Sequence, residues 1–193
     1  MIQPIIAERL ILRIFTHDDA QRVHELLTDG QIGQYLGMLP DPYLLEDAES
    51  WISMQKPHQE NGIGFTFAIT DKQNSQIIGT VSLAPLNPQH RHAELGYWLG
   101  TDYWCQGYAT EATQAILAYG FTNLDLLRIY AHHLPQNQAS RNILNKLGMQ
   151  QEGVLRKHIN HRGKQSDLIV CSILQHDWQE NNYSSIKPIT TDS

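Results

Sequence analysis

The stretch Trp104-Cys105-Gln106-Gly107-Tyr108-Ala109-Thr110-Glu111-Ala112 decides the fold, because it joins a predicted strand to a predicted helix. The strand is the run at residues 93–99, and the helical spacing of apolar residues begins at Ala112. The first turn of a helix has unpaired amides and partial positive charge from the helix dipole, so it attracts anions. Gly107 and Ala109 are small enough to let a phosphate approach the backbone. The stretch therefore predicts a phosphate-binding loop.

Strand and helix patterns on both sides of this loop describe one continuous domain. Alternating apolar residues predict strands, and apolar residues three and four positions apart predict helices. The resulting order is strand, two helices, three strands, helix, strand, helix and two strands. Strands are predicted at residues 10–15, 65–70, 77–84, 92–99, 127–134, 153–159 and 168–174, and helices at 18–27, 46–55, 112–119 and 139–147. We expect a domain at residues 1–178 and a polar tail at 179–193.

The composition is that of an ordinary soluble protein without a membrane segment. A chain of 193 residues can bury a core as one domain, and 41% hydrophobic with 18% charged residues is typical of globular proteins. The apolar start at residues 1–7 is too short to span a bilayer and has neither a basic flank nor a cleavage site.

Cysteine and histidine usage indicates neither a disulfide nor a metal centre. Cys105 and Cys171 form no CxxC pair and have apolar neighbours, so we expect two buried thiols and a cytoplasmic location. The sequence contains 10 histidines, but none of them has the spacing of a zinc site. This holds also for the close pairs His90/His92 and His132/His133.

The net charge of −6 lies entirely in the first third of the chain. Residues 1–60 contain ten acidic and four basic side chains, and the remainder contains ten of each. An acidic surface repels nucleic acid and attracts cations, which argues against a nucleic-acid partner. These acids are either solvated helix faces or a surface that attracts a cationic ligand.

Several segments, in a fixed order, resemble the GNAT N-acetyltransferases. They are residues 8–13 (ERLILR), 78–83 (IGTVSL), 104–112 (WCQGYATEA), 127–129 (LRI), 137–140 (NQAS), 146–149 (KLGM) and 152–153 (EG). In particular the chain resembles the Rim-type branch, which acetylates protein N-termini and has relatives that act on small amines. It departs from the family at Cys105, where a glycine is common, while Trp104 is typical of the Rim-type branch.

The resemblance implies an α/β (α+β) fold and acetyl-CoA as the co-substrate. A mixed, mostly antiparallel sheet of about seven strands would be flanked by about four helices, with two central strands splayed apart. Here those strands are residues 92–99 and 127–134. Backbone groups of the first strand would pair with the pantetheine arm, and the loop amides would bind the pyrophosphate. The implied cofactor-binding residues are Tyr97, Trp98, Leu99, Trp104, Gln106, Gly107, Tyr108, Ala109, Thr110, Asn137 and Lys146.

Two of these residues have a second interpretation. Asn137 has the right chemistry to cap the helix that follows it, and this role is compatible with a contact to the pantetheine. Lys146 is either a ligand of the 3′-phosphate of the cofactor or an ordinary solvated side chain.

The candidate catalytic residues are Glu94 and Ser140. By strand alternation Glu94 shares one face with His92, Gly96 and Trp98, and an acid in an otherwise apolar strand suggests a role. Related enzymes use an acid here, so Glu94 is predicted to be a general base or to orient the amine, with a structural hydrogen bond as the alternative. In some Rim-type enzymes a matching serine hydrogen-bonds the leaving sulfur, so Ser140 has that role or is plain helix surface.

Two further positions differ from those of other relatives. Leu144 stands near the place where other branches have a tyrosine, and a leucine cannot do that work. Ile159 stands where some relatives have a second acid.

These residues predict an acetyl-CoA-dependent N-acetyltransferase that works by direct attack of a primary amine. A protein α-amine, with a pKa of about 7.7–8.0, needs less help from a base than a lysine amine at about 10.4. The α-amine of a protein or peptide is therefore the predicted acceptor. A polyamine or aminoglycoside-like amine is the first alternative, and a non-catalytic acyl-CoA-binding module is the second.

The acceptor is expected to bind between the N-terminal helices and the C-terminal hairpin. The first two helices, the loop at residues 30–42 and the turn near Gly163 would supply the contacts. A homodimer is plausible from the family resemblance.

Overall fold

The computed structural model describes residues 2–28, 31–36 and 39–183, which form eight strands and five α-helices. The strands are β1 Ile5–Ile6, β2 Leu10–Arg13, β3 Phe65–Asp71, β4 Ile77–Asn87, β5 His92–Leu99, β6 Arg128–His133, β7 Gln150–His161 and β8 Lys164–Leu174. The helices are α1 Ala20–Leu27, α2 Leu45–Glu60, α3 Tyr108–Thr122, α4 Gln138–Lys146 and α5 Gln175–Tyr183. Short 3-10 turns lie at His17–Asp19, Ile32–Gln34 and Thr101–Tyr103.

The strands form one sheet whose two central members separate. The strand order is β1-β2-β3-β4-β5-β6-β8-β7, and β5–β6 is the parallel pair in an otherwise antiparallel sheet. These two strands pair at only three positions, the last of which joins Glu94 to Tyr130. Since β5 continues to Leu99 and β6 to His133 without further pairing, a gap opens between them.

Helices cover the sheet on both faces, as strand alternation requires. Phe67 and Ile69 of β3 point into a core with Ile116 and Leu117 of α3. Their neighbour Ala68 points the other way, into a second core with α1 and α2. The gap between β5 and β6 therefore has α3 and α4 on one side and the N-terminal helices on the other.

The predicted fold class and element order are confirmed. All of the predicted strands and helices are present in the predicted order, and the two central strands are splayed as expected. Gly148, at φ 78°, ends α4 in the left-handed conformation that its position suggested.

Two elements were not predicted from the sequence. β1 is only two residues long, and α5 is mostly polar, with Trp178 packed on Phe121. Helix α5 runs to Tyr183, so it crosses residue 179, where the sequence suggested that a polar tail begins. Residues 184–193 of that tail lie outside the described residues.

None of the helices in the described residues is long and apolar enough to cross a membrane.

Gly79 of β4 is predicted to be intolerant of any side chain. A Cβ at this position would lie 2.2 Å from the carbonyl oxygen of Trp98 and 2.8 Å from the Cα of Leu99, both on β5. We expect Gly79→Ala to push the two strands apart and to lower the free energy of unfolding by about 2–3 kcal/mol, measured by urea denaturation.

Gly153→Ala on β7 is the matched control, because nothing lies within 4 Å of its Cβ position. It should change the free energy of unfolding by less than about 1 kcal/mol. Equal destabilisation by both substitutions would contradict the close approach of β4 and β5.

Candidate active site

A cavity of about 730 Å³ fills the gap between β5 and β6. It is lined by the second half of β5, the end of β6, the loop that precedes α3, the first turns of α4, the segment around Ile32–Gln34 and the β7–β8 hairpin. Of the thirteen site residues predicted from the sequence, all except Gln106 line this cavity. The side chain of Gln106 turns back and donates to the carbonyl of Asp102 at 2.7 Å.

The loop before α3 contains a row of backbone donors that have no acceptor among the described residues. Within the described part of the chain, the backbone N–H groups of residues 105–110 donate no hydrogen bond, whereas those of Trp104 and Glu111 are paired. Cys105 and Gly107 have φ values of 59° and 84°, so left-handed residues alternate with an ordinary one. Such an alternation gathers successive N–H groups into an anion-binding concavity, here at the N-terminus of a 15-residue helix.

Cys105 differs from its prediction. It is exposed at the cavity rather than buried, while Cys171 is buried as expected, and neither forms a disulfide. The left-handed backbone at Cys105 explains the exposure, because the tight turn of the loop directs this side chain away from the core. It also explains why a glycine is common at this position in the resembling family.

Arg9 fixes the loop from the start of β2, and we call this set of contacts the Arg9 clamp. Its Nε donates to Oε2 of Glu111 at 2.8 Å, and its Nη1 donates to the carbonyl of Gln106 at 3.0 Å. Its backbone N–H donates to Oε1 of Glu111 at 2.6 Å, and its guanidinium lies 4.3 Å from the ring centroid of Tyr108. The hydrogen bond to Glu111 raises the pKa of Arg9, so the clamp is charged at every physiological pH.

The free edge of β5 faces the gap at the residues predicted to pair with the pantetheine arm. Tyr97, Trp98 and Leu99 pair with β4 on one side, and no strand of the described residues pairs with them on the other. The indole N–H of Trp104 donates to the carbonyl of Leu99 at 2.8 Å, which ties the loop to the end of this strand. Tyr35 packs edge-on against Trp104, with ring centroids 6.0 Å apart.

Ser140 sits in the first turn of α4, on the α3–α4 side of the gap. The Oδ1 of Asn137 accepts a hydrogen bond from the Ser140 backbone N–H at 3.0 Å, so the predicted helix cap is confirmed. The hydroxyls of Ser140 and Tyr97 are 2.8 Å apart. Burial raises the pKa of Tyr97 to about 12, so its phenol stays protonated and can donate to Ser140. The proton of Ser140 is then available to a group in the cavity.

Glu94 sits at the point where the strands separate, and it contacts a histidine. Oε1 of Glu94 is 2.8 Å from Nδ1 of His132 on β6, and their side chains are 30% and 22% exposed. The ring of Tyr130 lies edge-on to His132, with centroids 5.5 Å apart. The next residue, His133, also lines the cavity but is buried, with its Nδ1 2.9 Å from the carbonyl of Leu134.

The acceptor side of the cavity has apolar walls. The first third of the chain lines it, within the described residues, with Ile32, Tyr35 and Leu36 rather than with its acidic residues. Leu168 of β8 and Ile159 of β7 form the opposing wall. The segment around Ile32 meets the β7–β8 hairpin, because His161 Nε2 lies 2.8 Å from the carbonyl of Gln34. Residues 30, 37 and 38 of the predicted acceptor loop lie outside the described residues.

The remaining cofactor candidate is Lys146, in the last turn of α4, whose side chain lines the cavity without a hydrogen-bonding partner among the described residues. The described residues contain no group of three histidine, cysteine or acidic side chains that could hold a metal ion.

Sequence reasoning missed Arg9, His132 and the hydroxyl of Tyr97 as parts of the site. Arg9 was noted only within a resembling segment, and His132 only as a metal-ligand candidate. Strand alternation could have found His132, because it shares a face with Tyr130 once the two central strands are paired in parallel. The contacts of Arg9 and Tyr97 join residues about 100 and 43 positions apart, and no local pattern reveals them.

Comparison with known proteins supports the resemblance. Residues 9–150 match the family model described as an acetyltransferase (GNAT) domain. The uncharacterised N-acetyltransferase YoaA of Bacillus subtilis is 34% identical over 173 residues, which are 89% of this chain and 97% of the relative.

Two relatives with different acceptors in their names are equally similar. YdaF of Bacillus subtilis, whose name marks it as a proposed ribosomal N-acetyltransferase, is 26% identical over 90% of this chain and 96% of its own. Spermidine N(1)-acetyltransferase of Escherichia coli is also 26% identical, over 89% of each chain.

Solved structures have the same fold. An acetyltransferase (GNAT family) from Bacillus anthracis superposes with a TM-score of 0.80 at 29% identity, over 90% of this chain and 99% of its own. RimL, a ribosomal L7/L12 α-N-protein acetyltransferase in complex with coenzyme A, has a TM-score of 0.84 over 91% and 99% of the two chains. At 20% identity this second likeness concerns the fold alone.

Removal of the Arg9 clamp is predicted to weaken coenzyme A binding. Arg9→Ala frees Gln106, Tyr108 and Glu111, so the loop must be ordered by the ligand itself. We expect the dissociation constant of coenzyme A, measured by titration calorimetry, to rise about tenfold, which is about 1.4 kcal/mol. Arg9→Lys should recover little of this, because an ammonium cannot reproduce the guanidinium fork.

Arg91→Ala is the control, since the ion pair of Arg91 with Asp125 lies outside the cavity. It should leave coenzyme A affinity unchanged. An unchanged affinity in Arg9→Ala as well would mean that the loop holds its shape without the clamp.

Proposed function

The chain belongs to the GNAT acetyltransferase family, and we propose that its acceptor is the α-amino group of a protein or peptide. The protein is an N-acetyltransferase that uses acetyl-CoA as its co-substrate. The single observation that carries the site assignment is the row of unused N–H donors at residues 105–110, which opens on the gap between β5 and β6. A diphosphate would satisfy these donors and would offset the helix dipole.

The other cofactor contacts follow from the shape of the gap. The unpaired edge of β5 at residues 97–99 would form hydrogen bonds with the amides of the pantetheine arm, which would lie along it like an added strand. Asn137 caps α4 beside this edge, and Lys146 at the far end of α4 offers a cation to a phosphate. Trp104 would hold the loop against the end of β5, through the hydrogen bond from its indole to the carbonyl of Leu99.

Ser140 and Glu94 lie on opposite sides of the gap, and this placement suits direct attack. An amine entering from the Glu94 side would meet the thioester carbonyl within one ternary complex, and no nucleophilic side chain is required. Ser140, held by the Asn137 cap and by the hydroxyl of Tyr97, would donate a hydrogen bond to the departing sulfur. Glu94 and His132 together would take a proton from the incoming ammonium.

Several observations support an α-amine acceptor. An α-amine of pKa about 7.7–8.0 is partly neutral at physiological pH, so it needs little help beyond the hydrogen-bonded side chains of Glu94 and His132. The apolar walls at Ile32, Leu36 and Leu168 suit a peptide's first residues better than a chain of ammonium groups. The name of YdaF points in the same direction.

A small polyamine is the second candidate acceptor. Spermidine N(1)-acetyltransferase is as similar to this chain as YdaF is, and Glu94 offers a carboxylate to an ammonium in either case. The acidic residues of the first third would then attract the cation to the surface without touching it in the cavity. A homodimer, a cytoplasmic location and a domain that ends at residue 178 stay predictions from the sequence.

An acceptor panel tests the proposal. The panel contains a peptide with a free N-terminus, the same peptide with a blocked N-terminus and an internal lysine, and spermidine. We expect kcat/KM for the free N-terminus to exceed the other two values at least tenfold, because only its amine is substantially neutral at pH 7.5. Thiol release gives the rate, and mass spectrometry locates the acetyl group. A higher kcat/KM for spermidine would overturn the α-amine proposal.

Ser140→Ala is predicted to slow the chemical step without weakening substrate binding. Loss of a hydrogen bond to a developing thiolate costs about 1.5–3 kcal/mol, so kcat should fall by about 10- to 150-fold while KM stays within a factor of about three. Steady-state kinetics measure both constants, and Ser140→Thr should retain much of the rate because it keeps a hydroxyl.

Ser53→Ala is the control, since Ser53 is exposed on α2 and its hydroxyl donates to the carbonyl of Ser50. A change in KM alone in Ser140→Ala would assign Ser140 to binding rather than to the leaving group.

A further inference from the structure

We propose that His132 is the group that removes the proton from the attacking amine, and that Glu94 positions it. The inference rests on the proposed function, since it concerns the same site, and it moves the role of base from the carboxylate to its imidazole neighbour. It makes Glu94 a positioning residue and His132 a catalytic one.

The contact between the two side chains sets the tautomer of His132. A carboxylate only accepts hydrogen bonds, so the Nδ1 that lies 2.8 Å from Glu94 Oε1 must carry the hydrogen. The lone pair of the neutral ring is then on Nε2. No described residue is hydrogen-bonded to Nε2, and the side chain lines the cavity and is 22% exposed. His132 therefore presents its basic atom to the space where the amine must arrive.

The neighbouring histidine shows what a structural role looks like in the same strand. His133 is 4% exposed, and its Nδ1 is satisfied by the carbonyl of the next residue. It also lines the cavity, but it has no carboxylate partner among the described residues. Both histidines line the cavity, but of the two only His132 is paired with an acid within the described residues, and its side chain is the more exposed, at 22%.

The groups that face His132 are few. Glu94 approaches from β5, and the ring of Tyr130 packs edge-on from the same strand. The partner on β8 is Val170, which has no ionisable group. His92 lies beyond Tyr130, with ring centroids 5.6 Å apart, and does not line the cavity. Glu94 is thus the charged side chain that contacts the imidazole.

The chemistry favours imidazole over carboxylate. The ideal pKa of a general base lies near the operating pH, and an ordinary imidazole side chain, with a pKa of about 6.5, is closer to neutrality than an ordinary carboxylate, with a pKa of about 4.3. The negative charge of Glu94 also stabilises the imidazolium that forms, as the acid of a Ser-His-Asp triad does.

Protons and electron pairs balance in this step without any further reactant. One N–H bond of the ammonium breaks, its proton moves to Nε2 of His132, and the lone pair stays on the amine nitrogen. That lone pair forms the new N–C bond while the C–S bond breaks and its electron pair leaves on sulfur. The nitrogen then loses a second proton, which neutralises the thiolate, and His132 returns its proton to solvent. The products are the amide, the free thiol and one proton.

The test is chemical rescue of the full-length protein with the best acceptor from the panel. His132→Ala should lower kcat/KM about 100-fold with coenzyme A affinity unchanged. Added imidazole should then raise the kcat/KM of this variant at least tenfold. The rescued rate should follow the concentration of unprotonated imidazole. Glu94→Gln, which keeps an acceptor for Nδ1–H but loses the charge, should cost about tenfold and should not respond to imidazole. The double variant should be no slower than His132→Ala.

His132→Asn guards against a folding defect, because an amide can still donate to Glu94 but cannot take a proton. It should bind coenzyme A normally and lose about 100-fold in kcat/KM. His90→Ala, which removes an exposed imidazole outside the cavity, should have wild-type kinetics.

Three results would overturn the proposal. They are wild-type activity in His132→Ala or His132→Asn, a loss in His132→Ala that imidazole does not relieve, and a loss explained by weaker coenzyme A binding in both variants. If the panel identifies spermidine as the best acceptor, the α-amine proposal fails, yet the same rescue experiment still decides the role of His132.

Discussion

The separation of β5 and β6 after Glu94 is the feature on which the rest of the site depends. Paired strands satisfy each other's backbone groups, so two strands that diverge leave an edge that something else must satisfy. Here the gap is kept open from both faces, by α3 and α4 on one side and by the N-terminal helices on the other. The result is a polar-edged cavity within a well-packed sheet, and an extended molecule with amide groups is the natural occupant.

The loop at residues 104–110 solves a related problem of unpaired backbone. Six successive N–H groups donate no hydrogen bond within the described residues, and Cys105 and Gly107 give the loop its left-handed turns. Without support from other residues, such a loop would rearrange so that its N–H groups find acceptors within the loop. The Arg9 clamp and the bond from Trp104 to Leu99 hold it open, so the cost of ordering is met in folding rather than in ligand binding.

Much of this could be predicted from residues close together in sequence. The loop, the cap at Asn137, the terminator at Gly148 and the alternation that gives Glu94 its face all depend on patterns of a few residues. Helix α5 and the two-residue β1 escaped because one has little apolar periodicity and the other is too short to show any. Cys105 was expected to be buried, since its apolar neighbours gave no sign of the left-handed turn that exposes it.

The sequence by itself determined the order of the elements and the loop proposed to bind a diphosphate, because both follow from local spacing and helix-end chemistry, and its resemblance to the GNAT enzymes indicated the family. Only the tertiary structure decided which side chains meet. Arg9 reaches Glu111, Tyr97 reaches Ser140 and Glu94 reaches His132 across 102, 43 and 38 residues of chain. Such contacts depend on strand register and on where two strands part, and neither is encoded in any single stretch of residues.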